Sequence, residues 1–300
     1  METITLGGQL FQYLITGITV GSIYAIVAVG FNIIYNVTEI INFAQGEFVM
    51  LGGLVMVFFH AGMGLPLIVA FPLAVILVTL VGMLLDLLVI RTIRQPTVLT
   101  LIIATIAASI LLKGTAMFIW GKNPYDLPAF SGRNPITFLG AVIQPQYLWV
   151  IGFLIFIVVA LTIFFDRTIL GKAMIACADN PDAASLVGIN VKRMIMLSFA
   201  LSAAIGAVAG IVVTPISLME YDRGAMLAVK GFGAAVLGGL GSFPGAVIGG
   251  LVLGAIESLG AGLISSGYKD AFALIVLLVV LFFKPSGILG DIEVSRIKRF

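Results

Sequence analysis

Apolar residues run along this chain in stretches of about 20, separated by short polar islands and free of the two-residue alternation of a membrane barrel. One such stretch, coiled as a helix, matches the hydrocarbon thickness of a bilayer. The pattern predicts about nine spans (eight to ten), near 10–34, 43–60, 66–90, 97–120, 147–165, 194–216, 225–240, 244–264 and 270–284. The seventh is short, Gly-rich and holds Lys230, so it either crosses or re-enters.

Composition places those helices in lipid. Of 300 residues, 61% are hydrophobic and 10% charged, and mean hydropathy is +1.20. A soluble domain is about 45–50% apolar and about 25% charged, so a water-exposed surface for this chain is excluded. The fold class expected is all-α integral membrane, one polytopic helix bundle over 1–300. The 35 glycines suit close helix packing in lipid. A net charge of +2 without a basic, aromatic-interleaved run argues against nucleic acid. The single Cys177 forms no internal disulfide, and reads as a small helix residue. Met1 to Gln9 contains Glu2 and neither Lys nor Arg, so the first apolar stretch is expected to stay as a span.

Charge in the short loops sets an orientation. Arg91 and Arg94 follow span three; Arg167, Lys172, Lys192 and Arg193 follow span five; Lys284, Arg296, Lys298 and Arg299 follow the last. Nine crossings put all three clusters on one side, the cytoplasmic side, leaving the N-terminus outside and the C-terminus cytoplasmic. Lys122 and Arg133 lie in the long external loop, which Pro124, Pro128, Pro135 and Pro145 make an irregular cap.

A faint repeat is present. Gly17-x-x-x-Gly21 in span one answers Gly206-x-x-x-Gly210 in span six, and each is followed by a polar break, INFAQGEFVMLGG (41–53) and EYDRGAMLAVKG (220–231), with Gly46 and Gly224 in comparable places. The two spans point opposite ways, the sign of an inverted repeat, whose broken helices meet at the transported species.

In the first break, Asn42, Gln45, Gly46 and Glu47 admit two readings: a broken helix lining a path, or a turn with Asn42 as N-cap. In the second, Glu220 to Gly224 is a solvated turn, an outer gate or a docking point. Candidate path residues are therefore Asn42, Gln45, Gly46 and Glu47 with Tyr221, Arg223 and Lys230. Among charges within spans, Asp86 lies about 7 Å from the inner edge, within reach of Arg91, and Lys113 sits about 24 Å across, level with Glu257, a depth that allows a Lys113–Glu257 contact. Gly245-x-x-x-Gly249 and Gly250-x-x-x-Gly254 predict close packing on two faces of one helix.

The internal segment 166–193 reads as two short helices. Thr168 to Ala178 forms the first; Asn180 caps the second with Pro181 at its first position, and Gly188 stops it. Such a knob on the positive-inside face invites a protein partner. Gly171-Lys172 has no Gly-rich loop before it, so this is no phosphate-binding loop, and His60 alone excludes HExxH zinc chemistry and any Ser–His dyad of credible geometry. No catalytic residue and no metal ligand is expected.

Four blocks in order, GSIYAIVAVGFNIIYNVTEIINFAQGEFVMLGG (21–53), LGKAMIACADNPDAASLVGINVKR (170–193), VKGFGAAVLGGLGSFPGAVIGGLVLGAIES (229–258) and YKDAFALIVLLVVLFFKPSGILG (268–290), resemble the permease subunits of branched-chain amino acid ABC importers, the LivH-type half. The resemblance covers nearly the whole chain; Gln45 stands where His is frequent and Ile175 where Arg is frequent. It implies a type II-like importer permease in a bacterial or archaeal inner membrane. The implied partners are a homologous second permease, two cytoplasmic ATPase subunits that bind ATP and Mg, and a periplasmic or lipid-anchored binding protein. It also implies that the knob seats in the ATPase, through Lys172, Asp179, Asn180, Pro181, Asp182, Ala183, Ala184 and Gly188. Relatives of this type carry urea, amides or aromatic acids as well. A secondary transporter is the competing class; it needs a midplane ion site, whereas Asp86 and Glu257 lie nearer the edges. A channel is disfavoured by the lack of a filter-like motif.

Overall fold

The structure is a computed structural model and describes residues 6–94, 96–132, 134–138, 140–284 and 286–289. Arg133, Arg296, Lys298 and Arg299 of the charge argument lie outside the described residues. In lipid, backbone groups find partners only within a helix or a closed barrel, and the apolar stretches fold accordingly as helices. These are α1 (Leu6–Thr38), α2 (Gln45–Val57, continued by a π turn over Phe58–Gly62), α3 (Leu67–Leu88) and α4 (Val98–Trp120). The chain continues with α5 (Pro145–Arg167), α6 (Ile169–Asp179), α7 (Pro181–Leu186) and α8 (Val191–Ser217), then α9 (Arg223–Gly238), α10 (Phe243–Leu263) and α11 (Lys269–Phe283). Side-chain caps fix several starts: Thr97, Asn190 and Ser242 each accept a backbone N–H three residues on.

Among the described residues, eight helices are long and apolar enough to cross a membrane. The ninth expected span, α9, is 16 residues, about 24 Å against a core of about 30 Å. It still joins the two faces of the bundle. Met219, just before it, is bridged to Tyr125 through backbone bonds of 2.8 and 2.9 Å. Gly238, at its far end, abuts Gly245.

One face of the bundle carries the end of α1, where Asn32 and Asn36 donate to the carbonyls of Ser242 and Gly241, together with α6 and α7. There too Arg91, from the turn after α3, donates to the carbonyl of Lys192. The opposite face holds the start of α1. The loop after α4 is more ordered than the prolines suggested: Ile136–Phe138 (β1) pairs antiparallel with Ala141–Ile143 (β2), and the N–H of Val142 donates to Gln12 at 2.6 Å.

The first four helices and the last four pack alike. α8 lies on α2 and α3 as α1 lies on α9 and α10; α4 rests on α2 as α11 rests on α9; α1 crosses α8 and α2 meets α9 at the centre. Since α1 and α8 start on opposite faces, the halves are inverted. Glycine sets the α1–α10 seam. A Cβ at Gly254 would stand 2.3 Å from the Cα of Gly21, so the α1–α10 backbones touch. α1, α2 and α8 form the buried centre, while α4 and α11 expose most of their apolar surface.

Candidate translocation site

The first break begins where Glu39 takes a positive φ of 55° and stops α1. Asn42 does not cap α2; the N-cap is Ala44, and Asn42 Oδ1 accepts the Ala44 N–H at 3.1 Å in a tight turn that leads into the helix at Gln45. Gln45 then bonds inward. Its Nε2 donates to the Ser202 carbonyl at 3.3 Å, its Oε1 accepts from Ser202 Oγ at 2.5 Å, and the same hydroxyl lies 2.7 Å from the Gly30 carbonyl. One side chain so ties α2 to α8 and α1. Glu47 Oε1 accepts from Ser109 Oγ at 2.9 Å, while its other oxygen and the Asn42 amide nitrogen are buried without a partner.

The second break starts at Leu218, also at positive φ, and ends at Asp222, before α9. Arg223 donates to Ser217 Oγ, and Lys113 pairs with Asp222. Lys113 also stands 5.7 Å from the centre of the Tyr221 ring. The Lys113–Glu257 contact that their common depth allows does not form. Equal depth on two helices fixes a level, not a neighbour, and α4 and α10 lie on different sides of the bundle.

Glu257 belongs instead to a buried network. It is fully buried, accepts from Tyr24 Oη at 2.9 and 3.0 Å, and pairs with Lys230 at 3.0 Å and Lys269 at 3.4 Å. Lys230 is 7% exposed, lies 2.5 Å from Asp270, and sits 5.5 Å from the Tyr24 ring centre. A buried charge of this kind is tolerable only when paired and hydrogen-bonded.

This network borders a cavity of about 520 Å³ between α1, α5, α8, α9 and α11, the size range of small-molecule sites. Arg223, Met226, Leu227 and Lys230 face it from α9 at helical spacing. Of the path candidates, Arg223 and Lys230 line this cavity. Gly46 reaches the second break by packing on Gly224. Asn42, Gln45 and Glu47 are buried against their own chain and do not line it, and neither does Tyr221. Residues not singled out as path candidates line it too: Tyr24, Glu220, Lys269 and Asp270. Lys269-Asp270 at the head of the last span was the readable signal, since two charges abutting an apolar run must be solvated or paired.

On the basic face, α6 and α7 form the capped knob. Thr168 accepts from the Gly171 N–H, and Asn180 from the Ala183 N–H at 2.9 Å; Pro181 takes the first turn, and Gly188 at φ 89° ends the pair. Lys172, Asp179, Asn180, Pro181, Asp182 and Ala183 are exposed, but Ala184 is buried beneath them. Leu186 and Val187, within the same stretch, stand 88% and 77% exposed. Cys177 lies on the buried face of α6, and burial pushes its thiol above the usual range.

Charged side chains this deep in a bundle persist where something hydrophilic is held or passed. With two inverted halves folded around them, the molecule is a polytopic membrane transport permease. Residues 13–281 match the family described as branched-chain amino acid transport system / permease component, and the chain belongs to that family. The high-affinity branched-chain amino acid transport system permease protein LivH of Salmonella typhimurium is 36% identical over 95% of this chain and 97% of its own. BraD of Pseudomonas aeruginosa, with the same description, is 34% identical with the same coverage. The ribose import permease RbsC of Haemophilus influenzae is 28% identical over 87% of this chain and 81% of its own. Among solved structures, PsaBC from Streptococcus pneumoniae in complex with Fab superposes over 98% of this chain and 96% of that one, at a TM-score of 0.47 and 14% identity.

Proposed function

We propose that this chain is one permease half of an ATP-driven importer that carries branched-chain amino acids across a bacterial or archaeal inner membrane. The observation that supports it best is the match along 95% of the chain to LivH and BraD, both described as high-affinity branched-chain amino acid permeases. In this reading a second permease, two ATPase subunits and an external binding protein complete the transporter, and ATP and Mg are bound by the ATPases. The knob over 166–193 seats in an ATPase through Asp182 and the apolar pair Leu186 and Val187. The basic face is cytoplasmic, so the N-terminus is external and the C-terminus cytoplasmic. The cavity is the outer part of the path, with Arg223 and Lys230 on its wall, and Asn42, Gln45, Gly46 and Glu47 hold the inner wall in place.

The test is reconstitution of the assembled transporter in vesicles. ATP-dependent uptake of leucine, isoleucine or valine, abolished when the ATPase or the binding protein is left out, is the expected result. Uptake of urea, an amide or an aromatic acid instead would replace the substrate while keeping the class. Ion-driven uptake by the lone chain would remove the class.

A further inference from the structure

The cavity is lined by three basic side chains, Arg223, Lys230 and Lys269, and three acidic ones, Glu220, Asp222 and Asp270. Four of the six are already paired. Lys230 and Lys269 reach Glu257, Lys230 also reaches Asp270, and Asp222 holds Lys113. Among the described residues, Arg223 and Glu220 are in no ion pair, and Arg223 donates only to the Ser217 hydroxyl. One free guanidinium and one free carboxylate therefore face the same cavity, while Val20, Ile23, Val213, Ile216 and Leu227 supply an apolar wall.

We infer that this cavity is a weak binding site for a zwitterionic α-amino acid with an apolar side chain, its carboxylate on Arg223 and its ammonium on Glu220. The balanced charge favours a neutral dipole over an anion or a cation, because a ligand with a single charge makes only one of the two charge-assisted contacts that Arg223 and Glu220 offer. Guanidinium offers a planar two-pronged contact to a carboxylate. The apolar wall takes the side chain, and the paired floor at Lys230, Glu257 and Tyr24 closes the cavity toward the other face. This rests on the importer reading above, and adds to it a site within the permease itself.

The experiment uses the assembled transporter without its binding protein, and measures equilibrium binding of radiolabelled leucine up to about 10 mM, the range of weak affinities. Saturable binding is expected. Unlabelled leucine should compete, whereas 3-methylbutylamine, which lacks the carboxylate, and 4-methylpentanoate, which lacks the ammonium, should compete about tenfold less well, the loss of one charge-assisted contact. Arg223→Gln and the isosteric Glu220→Gln should each weaken binding by a similar factor, and Arg223→Lys should restore part of it. No saturable leucine binding overturns the inference, whatever the transporter imports. So does equal competition by the amine and the acid, or unchanged leucine binding in both variants alongside weakened docking of the binding protein, which would assign the pair to docking. Leucine uptake by the same wild-type preparation, supplied with binding protein, separates the two levels. Uptake without direct binding removes only this site, and absence of branched-chain uptake removes the importer's substrate.

Discussion

Gly46 and Gly224 press on each other reciprocally: a Cβ on Gly46 would stand 2.2 Å from the Gly224 carbonyl oxygen, and one on Gly224 would stand 2.4 Å from that of Gly46. The residues occupy matching places in the two breaks, so the contact sits where the inverted halves meet. Neither backbone can yield without moving a helix start. Gly46→Ala and Gly224→Ala should each destabilise the permease by about 1–3 kcal/mol, the cost of overpacking. Gly114→Ala and Gly152→Ala meet nothing within 4 Å and should be neutral or stabilising by up to about 1 kcal/mol. Thermal unfolding in detergent reads all four, and equal shifts would refute the contact's importance.

The Lys230–Glu257 pair gives a second prediction. Glu257 is fully buried, and its partners come from α1, α9 and the start of α11. Lys230→Met leaves that carboxylate with Tyr24 and a 3.4 Å contact to Lys269, and should cost about 3–5 kcal/mol, the usual result of orphaning one member of a buried pair. Lys230→Met combined with Glu257→Leu should recover much of this, because no buried charge is left stranded and the remaining partners, Lys269 and Asp270, are exposed. A double variant as unstable as the sum of the single ones would show that the pair is not coupled.

The spans were readable because hydrocarbon thickness fixes the length of a helix that must satisfy its own backbone. The knob was readable because Thr168, Asn180, Pro181 and Gly188 are local devices that act within three or four residues. The two breaks showed in the sequence as polar residues beside Gly46 and Gly224. Which side chains share a cavity did not show, because hydropathy reports depth and not azimuth. Lys113 and Glu257 lie at one level and still find different partners. Tyr24 sits in an unbroken apolar run, and only its hydroxyl, brought against Glu257 by the Gly21–Gly254 seam, makes it polar in effect.

α4 is held to the bundle by a polar ladder. Thr105, Ser109 and Lys113, spaced four residues apart on one face, meet the Phe43 N–H, Glu47 and Asp222 in turn. Most of its remaining surface is exposed. Ser109→Ala strips Glu47 of the one side-chain hydrogen bond it has among the described residues, and should destabilise by about 1–3 kcal/mol, the cost of an unsatisfied buried group. Glu47→Leu with Ser109→Ala should be less damaging than Ser109→Ala alone, since the orphan is gone. If the double variant melts lower than the single, the ladder is not what seats α4.

The knob supplies the last prediction, which depends on the importer reading. Ala184 is buried and the N–H of Ile189 returns to its carbonyl at 3.0 Å, so bulk at 184 should disturb the knob itself. Leu186 and Val187 point away from the chain that carries them, on a turn whose geometry is fixed by the Asn180 cap and by Gly188. Apolar side chains that exposed are stable in water only at a cost, and removing them from water against a partner is favourable by about 25 cal/mol per Å². Asp182, in the first turn of α7, adds a charge beside them. Leu186→Ser with Val187→Ser should therefore lower transport by about tenfold or more, as loss of an interface anchor worth roughly 2 kcal/mol does. Asp182→Lys should lower it less, as a rim charge. Membrane insertion and the thermal stability of the lone permease should stay unchanged, because neither apolar side chain is packed within it. Co-purification of the ATPase subunits and substrate uptake in vesicles measure the two effects together. Normal uptake with full ATPase recovery in the Leu186, Val187 double variant would show that the contact lies elsewhere on this face.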